Sequence, residues 1–140
     1  MTQTEETSRR LRQPGRLIAR ILLALLFGTS GVLHFVFPTQ YAGVIPLWLP
    51  AHSTLVTISG WCELAGAIGL LIASTRRAAG WGLLLLCVAV LPANIQMWLD
   101  AVAAGKALWG QALLFIRVPL QVPLMWWIWR VMHDRTSGLR

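Results

Sequence analysis

Four apolar stretches of about 20 residues dominate this sequence and leave little room for any other folded domain. They cover residues 17–37, 55–74, 78–99 and 111–130. A helix of about 20 apolar residues crosses the hydrocarbon core of a bilayer, where every backbone polar group must find its partner within the protein. The pattern therefore predicts an all-α fold, an integral membrane four-helix bundle over residues 16–132.

The composition agrees with a chain whose main solvent is lipid. Hydrophobic residues make up 56% of the chain and charged residues 12%, against about 25% charged in a typical soluble domain. The net charge of +7 would suggest nucleic-acid binding in a soluble protein, but here the basic residues cluster at the ends of the apolar stretches. We therefore expect the lipid bilayer as a partner and no nucleic acid.

The distribution of arginines predicts the orientation of the chain. Ten arginines lie before the first stretch or at its start, between the second and third stretches, or at and after the end of the fourth: Arg9, Arg10, Arg12, Arg16, Arg20, Arg76, Arg77, Arg130, Arg135 and Arg140. The other two connections contain a single basic residue, Lys106. Because cytoplasmic loops carry the excess of Lys and Arg, both termini are predicted to be cytoplasmic.

The segments outside the four stretches differ in character. Residues 1–15 are polar and end in Pro14-Gly15, which predicts a disordered cytoplasmic tail, and residues 133–140 form a second, short cytoplasmic tail. Residues 38–54 are uncharged and contain Tyr41 and Trp48, so we expect a short segment lying along the outer membrane surface between the first two spans. A cleaved signal peptide is the alternative for the first stretch, but its apolar character continues to Phe37, which favours a span.

Five polar residues stand out inside the predicted spans because all of them lie in the outer half of the membrane. With a rise of about 1.5 Å per residue, their depths from the outer boundary are roughly 5 to 16 Å. They are His34, Glu63, Asn94, Arg117 and Gln121. Because they come from four different helices, this agreement in depth predicts that they converge on one polar pocket that binds a substrate.

Glu63 is the acid deepest in a span, and Arg117 is the corresponding base. An isolated charge at that depth costs at least about 2.5–3.5 kcal/mol, so the two residues are predicted to form a buried ion pair. His34, Asn94 and Gln121 are predicted to surround it. The alternative is that these polar side chains only hold the helices together by hydrogen bonds.

Recognised catalytic motifs and metal-binding spacings do not appear in the sequence, so the catalytic residues stay unknown and no metal is expected. The two cysteines, Cys62 and Cys87, lie on different apolar stretches without Cys-x-x-Cys spacing and are interpreted as packing residues.

Several local motifs coincide with the polar positions. They are the HF-x-x-P stretch at His34–Pro38, the SG-x-x-E stretch at Ser59–Glu63, the PAN stretch at Pro92–Asn94 and the R-x-PLQ stretch at Arg117–Gln121. With these motifs, residues 28–124 resemble the DoxX-like family of small four-helix bacterial integral membrane proteins. The resemblance implies a multi-pass protein of the bacterial cytoplasmic (inner) membrane.

The resemblance also implies a membrane subunit that supports quinone- or thiol-linked redox chemistry, with a quinone as the candidate cofactor. A redox partner protein or a second copy of the chain would be the protein partner. Two alternatives stay open: a small-solute or proton-coupled carrier, and a structural membrane module without its own activity. The sequence does not decide whether the chain is itself an enzyme.

Overall fold

The computed structural model describes the backbone of residues 3–133 and the side chains of residues 15–133. Its elements are α1 (Gln3–Val36), α2 (Pro38–Ala42), α3 (His52–Leu71), α4 (Arg76–Ala103) and α5 (Leu108–His133). In α1, the stretch Gly15–Val36 is long and apolar enough to cross a membrane, as are α3, α4 and α5. The described part of the chain is helical, with no strand, so the predicted all-α class is confirmed, with four helices that are long and apolar enough to cross a membrane.

The N-terminal segment differs from its prediction. The backbone is helical from Gln3, whereas a disordered tail was predicted for residues 1–15. Glu5 and Glu6 precede Arg9 and Arg10 by four residues, a spacing that supports a helix. Extending α1 also requires no new nucleation, which is the costly step of helix formation. The predicted C-terminal tail, apart from His133, lies outside the described residues.

The four long helices pack mainly as neighbours in sequence: α1 on α3, α3 on α4, and α4 on α5. One end of the bundle, which we call the arginine end, contains Arg16, Arg76 and Arg130. The opposite end, which we call the α2 end, contains α2 and the connection between α4 and α5. The buried apolar core lies toward the arginine end and draws on all four helices, with Leu23, Leu70, Leu83 and Ile128 almost completely buried.

Side chains at the arginine end determine where α3 stops. The Thr75 hydroxyl donates to the Gly69 carbonyl at 3.1 Å, and Arg76 Nε donates to the Leu70 carbonyl at 3.0 Å. The last carbonyls of a helix lack partners within it, so these two donors end α3 at Leu71, three residues before the predicted limit of 74. Arg76, which the sequence assigned to the membrane surface, is buried as a result.

A glycine ends α4 at the other end of the bundle. Gly105 has a φ of 61°, in the left-handed region that favours glycine. The amide of Lys106 bonds the Ala101 carbonyl, and the amide of Gly105 bonds the Val102 carbonyl, which is the Schellman pattern. This turn lets α4 continue to Ala103, four residues beyond the predicted limit of 99, before the chain reverses into α5.

Two glycines bring α1 and α3 into backbone contact near the α2 end. A Cβ added at Gly31 would lie 3.0 Å from the Gly60 carbonyl oxygen, and a Cβ added at Gly60 would lie 3.0 Å from the His34 Cβ. Small residues allow such close approach in membranes, where packing and hydrogen bonds hold helices together. The contact fixes the facing side chains of α1 and α3 with little freedom.

Substitution of Gly31 by alanine tests this contact. The added methyl group meets a backbone carbonyl that cannot move aside, so we expect Gly31→Ala to destabilise the protein by about 1–3 kcal/mol. Gly82→Ala is the matched control, because a Cβ there meets nothing within 4 Å and alanine favours a helix. Thermal unfolding in detergent measures both; equal stabilities of the two variants would contradict the close contact.

Candidate functional site

The carboxyl group of Glu63 and the imidazole of His34 form the centre of the site. Each residue is 8% exposed, and His34 Nδ1 lies 3.5 Å from Glu63 Oε2. The two side chains belong to α3 and α1 and come together because those helices meet through Gly31 and Gly60. At this buried position the two groups are close enough for a strong electrostatic interaction.

The hydrogen bonds of this pair are incomplete. His34 Nδ1 lies 2.9 Å from the Ser30 carbonyl, and since a carbonyl only accepts, Nδ1 carries the proton and Nε2 is the acceptor in the neutral ring. The Ser30 side chain also interacts with the Glu63 carboxyl. Glu63 Oε2 nevertheless is buried without a hydrogen-bond partner. Such an oxygen needs either a proton of its own or a donor from a ligand.

Tyr41 covers this pair from the α2 end. Pro38 begins α2, and three residues later the Tyr41 ring stacks on the His34 ring with 4.0 Å between centroids and 31° between planes. Burial raises the pKa of the Tyr41 phenol, the negative charge of Glu63 raises it further, and the positive charge of Arg117 lowers it. Tyr41 is therefore in electrostatic contact with both charges singled out by the sequence.

A second polar group joins α4 to α5. Asn94 Nδ2 donates to Gln121 Oε1 at 3.4 Å, and Gln121 Nε2 donates to the Cys87 carbonyl. Pro92 lies one turn further along α4 and lacks the N–H that would bond the neighbouring carbonyl of Val88. Gln121 is 8% exposed and uses both ends of its amide.

The two polar groups lie close together. Cys87, whose carbonyl binds Gln121, carries a thiol that is within electrostatic reach of the Glu63 carboxyl. Four of the five predicted residues, His34, Glu63, Asn94 and Gln121, thus belong to one region. We call it the polar cluster and include Ser30, Tyr41 and Cys87 in it.

Arg117 takes a different position from the one predicted. Its side chain is exposed, and Nη1 lies 3.6 Å from the Met97 sulfur. Glu63 has its ionic contact with His34, so the predicted direct pair of Glu63 with Arg117 is not formed. The physical reason is that α5 packs chiefly on α4, whereas α3 packs closely on α1. The positive charge of Arg117 is still close enough to Tyr41 to lower the pKa of that phenol.

Sequence reasoning missed three members of the cluster. Ser30 was not singled out, Tyr41 was assigned to the membrane surface, and Cys87 was interpreted as a packing residue. The signal for Tyr41 was its spacing of seven residues from His34, with a helix-starting proline between them. Within the described residues, no group of three or more His, Cys, Asp or Glu side chains is placed to hold a metal ion.

Residues 23–132 match the protein family described as Domain of unknown function (DUF8561). The chain belongs to this family. The matched range includes every residue of the polar cluster, while Arg16 and Arg20 of α1 precede it. No curated protein and no solved structure matches the chain.

The single tyrosine of this DUF8561 member provides a direct probe of the cluster. Because burial and Glu63 raise the pKa of Tyr41, we expect its phenol to ionise above the ordinary range for tyrosine. Glu63→Gln should lower that pKa and Arg117→Gln should raise it. Absorbance of the phenolate during an alkaline titration in detergent measures all three proteins without interference from other tyrosines.

The sign of the stability change follows from the same shift. The folded state favours the neutral phenol, so ionisation of Tyr41 lowers the free energy of unfolding as the pH rises above the ordinary tyrosine pKa. At lower pH the phenol is neutral in both the folded and the unfolded state, and its titration does not change the free energy of unfolding. An unshifted titration, or one that neither substitution moves, would contradict the placement of Tyr41 between Glu63 and Arg117.

A double-mutant cycle distinguishes the observed ion pair from the one expected from sequence. We expect Glu63→Gln and His34→Gln to couple by about 0.5–3 kcal/mol, because the residues are in contact. Glu63→Gln and Arg117→Gln should add within about 0.5 kcal/mol. Thermal unfolding in detergent gives both cycles; strong coupling with Arg117 and none with His34 would favour the pair expected from sequence.

Proposed function

We propose that the chain is a membrane subunit whose polar cluster binds the headgroup of a quinol or quinone and exchanges protons with it, while a partner protein exchanges the electrons. The observation that carries this proposal is the buried Glu63 Oε2, which lacks a hydrogen-bond partner. A ligand with a hydroxyl donor satisfies that oxygen, and the reduced headgroup of a quinol carries two such hydroxyls.

The energetic argument concerns the ionised carboxylate. A buried acceptor left without a donor costs about 1–3 kcal/mol, and more when it is charged. Binding a hydroxyl donor removes that cost, so Glu63 favours a ligand that presents an O–H group over one that presents only acceptors. Asn94, through its amide, and Arg117, at the rim, supply donors for a carbonyl of the oxidised headgroup.

Glu63 and His34 provide two separate proton acceptors. Glu63 accepts one proton from a ligand hydroxyl, and His34, whose protonated Nδ1 lies 3.5 Å from the carboxyl, accepts a second proton at its other ring nitrogen. Since Nδ1 is held by the Ser30 carbonyl, Nε2 is the nitrogen that accepts a proton in the neutral ring. Tyr41, stacked on that ring, separates it from the membrane surface, so movement of α2 would open the route to water.

The redox balance requires a second protein. Oxidation of one quinol releases two protons and two electrons and leaves the quinone. Glu63 and His34 take the protons, and a partner protein with a two-electron redox centre takes the electrons. Reduction of a quinone is the same balance in the opposite direction: the partner, by oxidising a thiol-linked substrate, supplies the two electrons, and Glu63 and His34 supply the two protons.

The resemblance to the DoxX-like family supports the same proposal, and membership of that family stays a prediction. With it we propose that the chain lies in the bacterial cytoplasmic membrane with both termini in the cytoplasm. The arginine end would then face the cytoplasm, in agreement with the excess of basic residues in cytoplasmic loops. The polar cluster would open toward the outer leaflet.

The carrier alternative has less support from the packing. A carrier must open its site to each side of the membrane in turn. Below the polar cluster, Leu23, Leu70, Leu83 and Ile128 are 0 or 1% exposed and fill the space between the helices toward the arginine end. The cluster is therefore closed from that side, which favours a site that exchanges ligand and protons with one membrane face.

Purification of the tagged chain from bacterial membranes in mild detergent, with mass spectrometry of bound quinones and proteins, tests the proposal. We expect a quinone and a redox protein to co-purify, and we expect Glu63→Gln to lower the bound quinone about tenfold, the effect of one charged hydrogen bond of about 1.5 kcal/mol. Asp100→Asn is the matched control, because it removes an exposed carboxylate at the same end of the bundle.

Two outcomes would overturn the redox proposal. One is the absence of both quinone and redox partner from the native chain. The other is an equal quinone content in Glu63→Gln and Asp100→Asn. Either result would leave the polar cluster with a structural role, in which its hydrogen bonds hold the four helices in register.

A further inference from the structure

A half-open cavity of about 480 Å³ lies at the arginine end, far from the polar cluster, between the first membrane turn of α1 and the last turns of α5. Its lining combines two arginines, two tryptophans and small residues: Arg16, Arg130, Trp126, Trp127, Gly15 and Ala19. The small residues of α1 leave the space, and a Cβ added at Gly15 would meet nothing within 4 Å.

The arginines that line this cavity lie beside apolar and aromatic side chains. The Arg130 guanidinium lies over the Trp126 ring, 5.3 Å from its centroid, which orients the charge at the cavity wall. One turn along α1 from Arg16, Arg20 is only 8% exposed, and its Nε is buried without a hydrogen-bond partner in the described structure. Arg20 does not line the cavity, whose wall carries the positive charge of Arg16 and Arg130.

The charges of the described side chains are unevenly distributed along the bundle. Residues 15–133 contain two carboxylates, Glu63 and Asp100, and both lie toward the α2 end. Five arginines lie at the arginine end: Arg16, Arg20, Arg76, Arg77 and Arg130. Among the described side chains, this end therefore carries an excess of positive charge, which can attract an anionic lipid.

We propose that this cavity binds the phosphate of an anionic phospholipid between Arg16 and Arg130. The planar guanidinium group matches the geometry of a phosphate, and two of them can hold it from opposite helices. Tryptophans settle at the depth of lipid headgroups, so Trp126 and Trp127 place the cavity at that level. Basic pockets between membrane helices recognise anionic headgroups in this way, and the partly apolar wall favours a lipid over free phosphate.

Native mass spectrometry of the full chain in detergent, titrated with phosphatidylglycerol, phosphatidylcholine or inorganic phosphate, tests the site. We expect phosphatidylglycerol to bind better than phosphatidylcholine and better than inorganic phosphate at the same concentration. Arg16→Gln and Arg130→Gln should each weaken phosphatidylglycerol binding about fivefold, the change that corresponds to about 1 kcal/mol per arginine near a membrane surface.

Two control variants separate a formed site from a general attraction between charges. Arg77→Gln removes an exposed arginine at the same end that does not line the cavity, and we expect it to leave binding nearly unchanged. Gly15→Leu keeps every charge but fills the cavity, so it should weaken binding at least as much as Arg16→Gln. Gly82→Leu adds the same side chain in open space on α4 and should have no effect.

The proposal fails if phosphatidylglycerol and phosphatidylcholine bind equally, or if inorganic phosphate binds as well as the lipid. It also fails if Arg77→Gln weakens binding as much as Arg16→Gln and Arg130→Gln, because the attraction would then be diffuse. Equal behaviour of Gly15→Leu and Gly82→Leu would show that the cavity itself is not occupied by the headgroup.

Discussion

The backbone contact between α1 and α3 is the constraint on which the rest of the site depends. Gly31 and Gly60 let the two helices approach until neither tolerates an added Cβ without a shift of its neighbours. This approach places His34 of α1 within 3.5 Å of Glu63 of α3 and shields both from the membrane. It also positions the start of α2 over the pair, so that Tyr41 stacks on His34.

The two ends of the bundle differ in where their polar side chains lie. Toward the α2 end, polar side chains from α1, α3, α4 and α5 lie within the long helices and form hydrogen bonds to backbone carbonyls and, between Asn94 and Gln121, to each other. At the arginine end, the interior is apolar and the polar groups are charges near the surface, apart from Arg20 and Arg76. This contrast is the basis for proposing a headgroup and proton site at one end and a lipid phosphate site at the other.

Much of the fold was predictable because the hydrocarbon core of a bilayer imposes a simple rule on sequence. About 20 apolar residues in a row must be a helix that satisfies its own backbone, and the chain has four such stretches. The depth of a residue within its helix follows from its position along it, so the grouping of His34, Glu63, Asn94 and Gln121 toward one end was also predictable. The limits of the helices were less predictable, because the capping of α3 by Thr75 and Arg76 depends on the turn that these residues form.

The sequence by itself determined the number of apolar segments, their helical structure and the position of each polar side chain along its helix. Only the tertiary structure decided which of those side chains meet, since that depends on which helix faces pack together. The pairing of Glu63 with His34 instead of Arg117 follows from the α1–α3 contact, which two glycines create and which hydropathy does not reveal. The stacking of Tyr41 and the cavity beside Arg130 likewise arise where separate helices and turns come together in space.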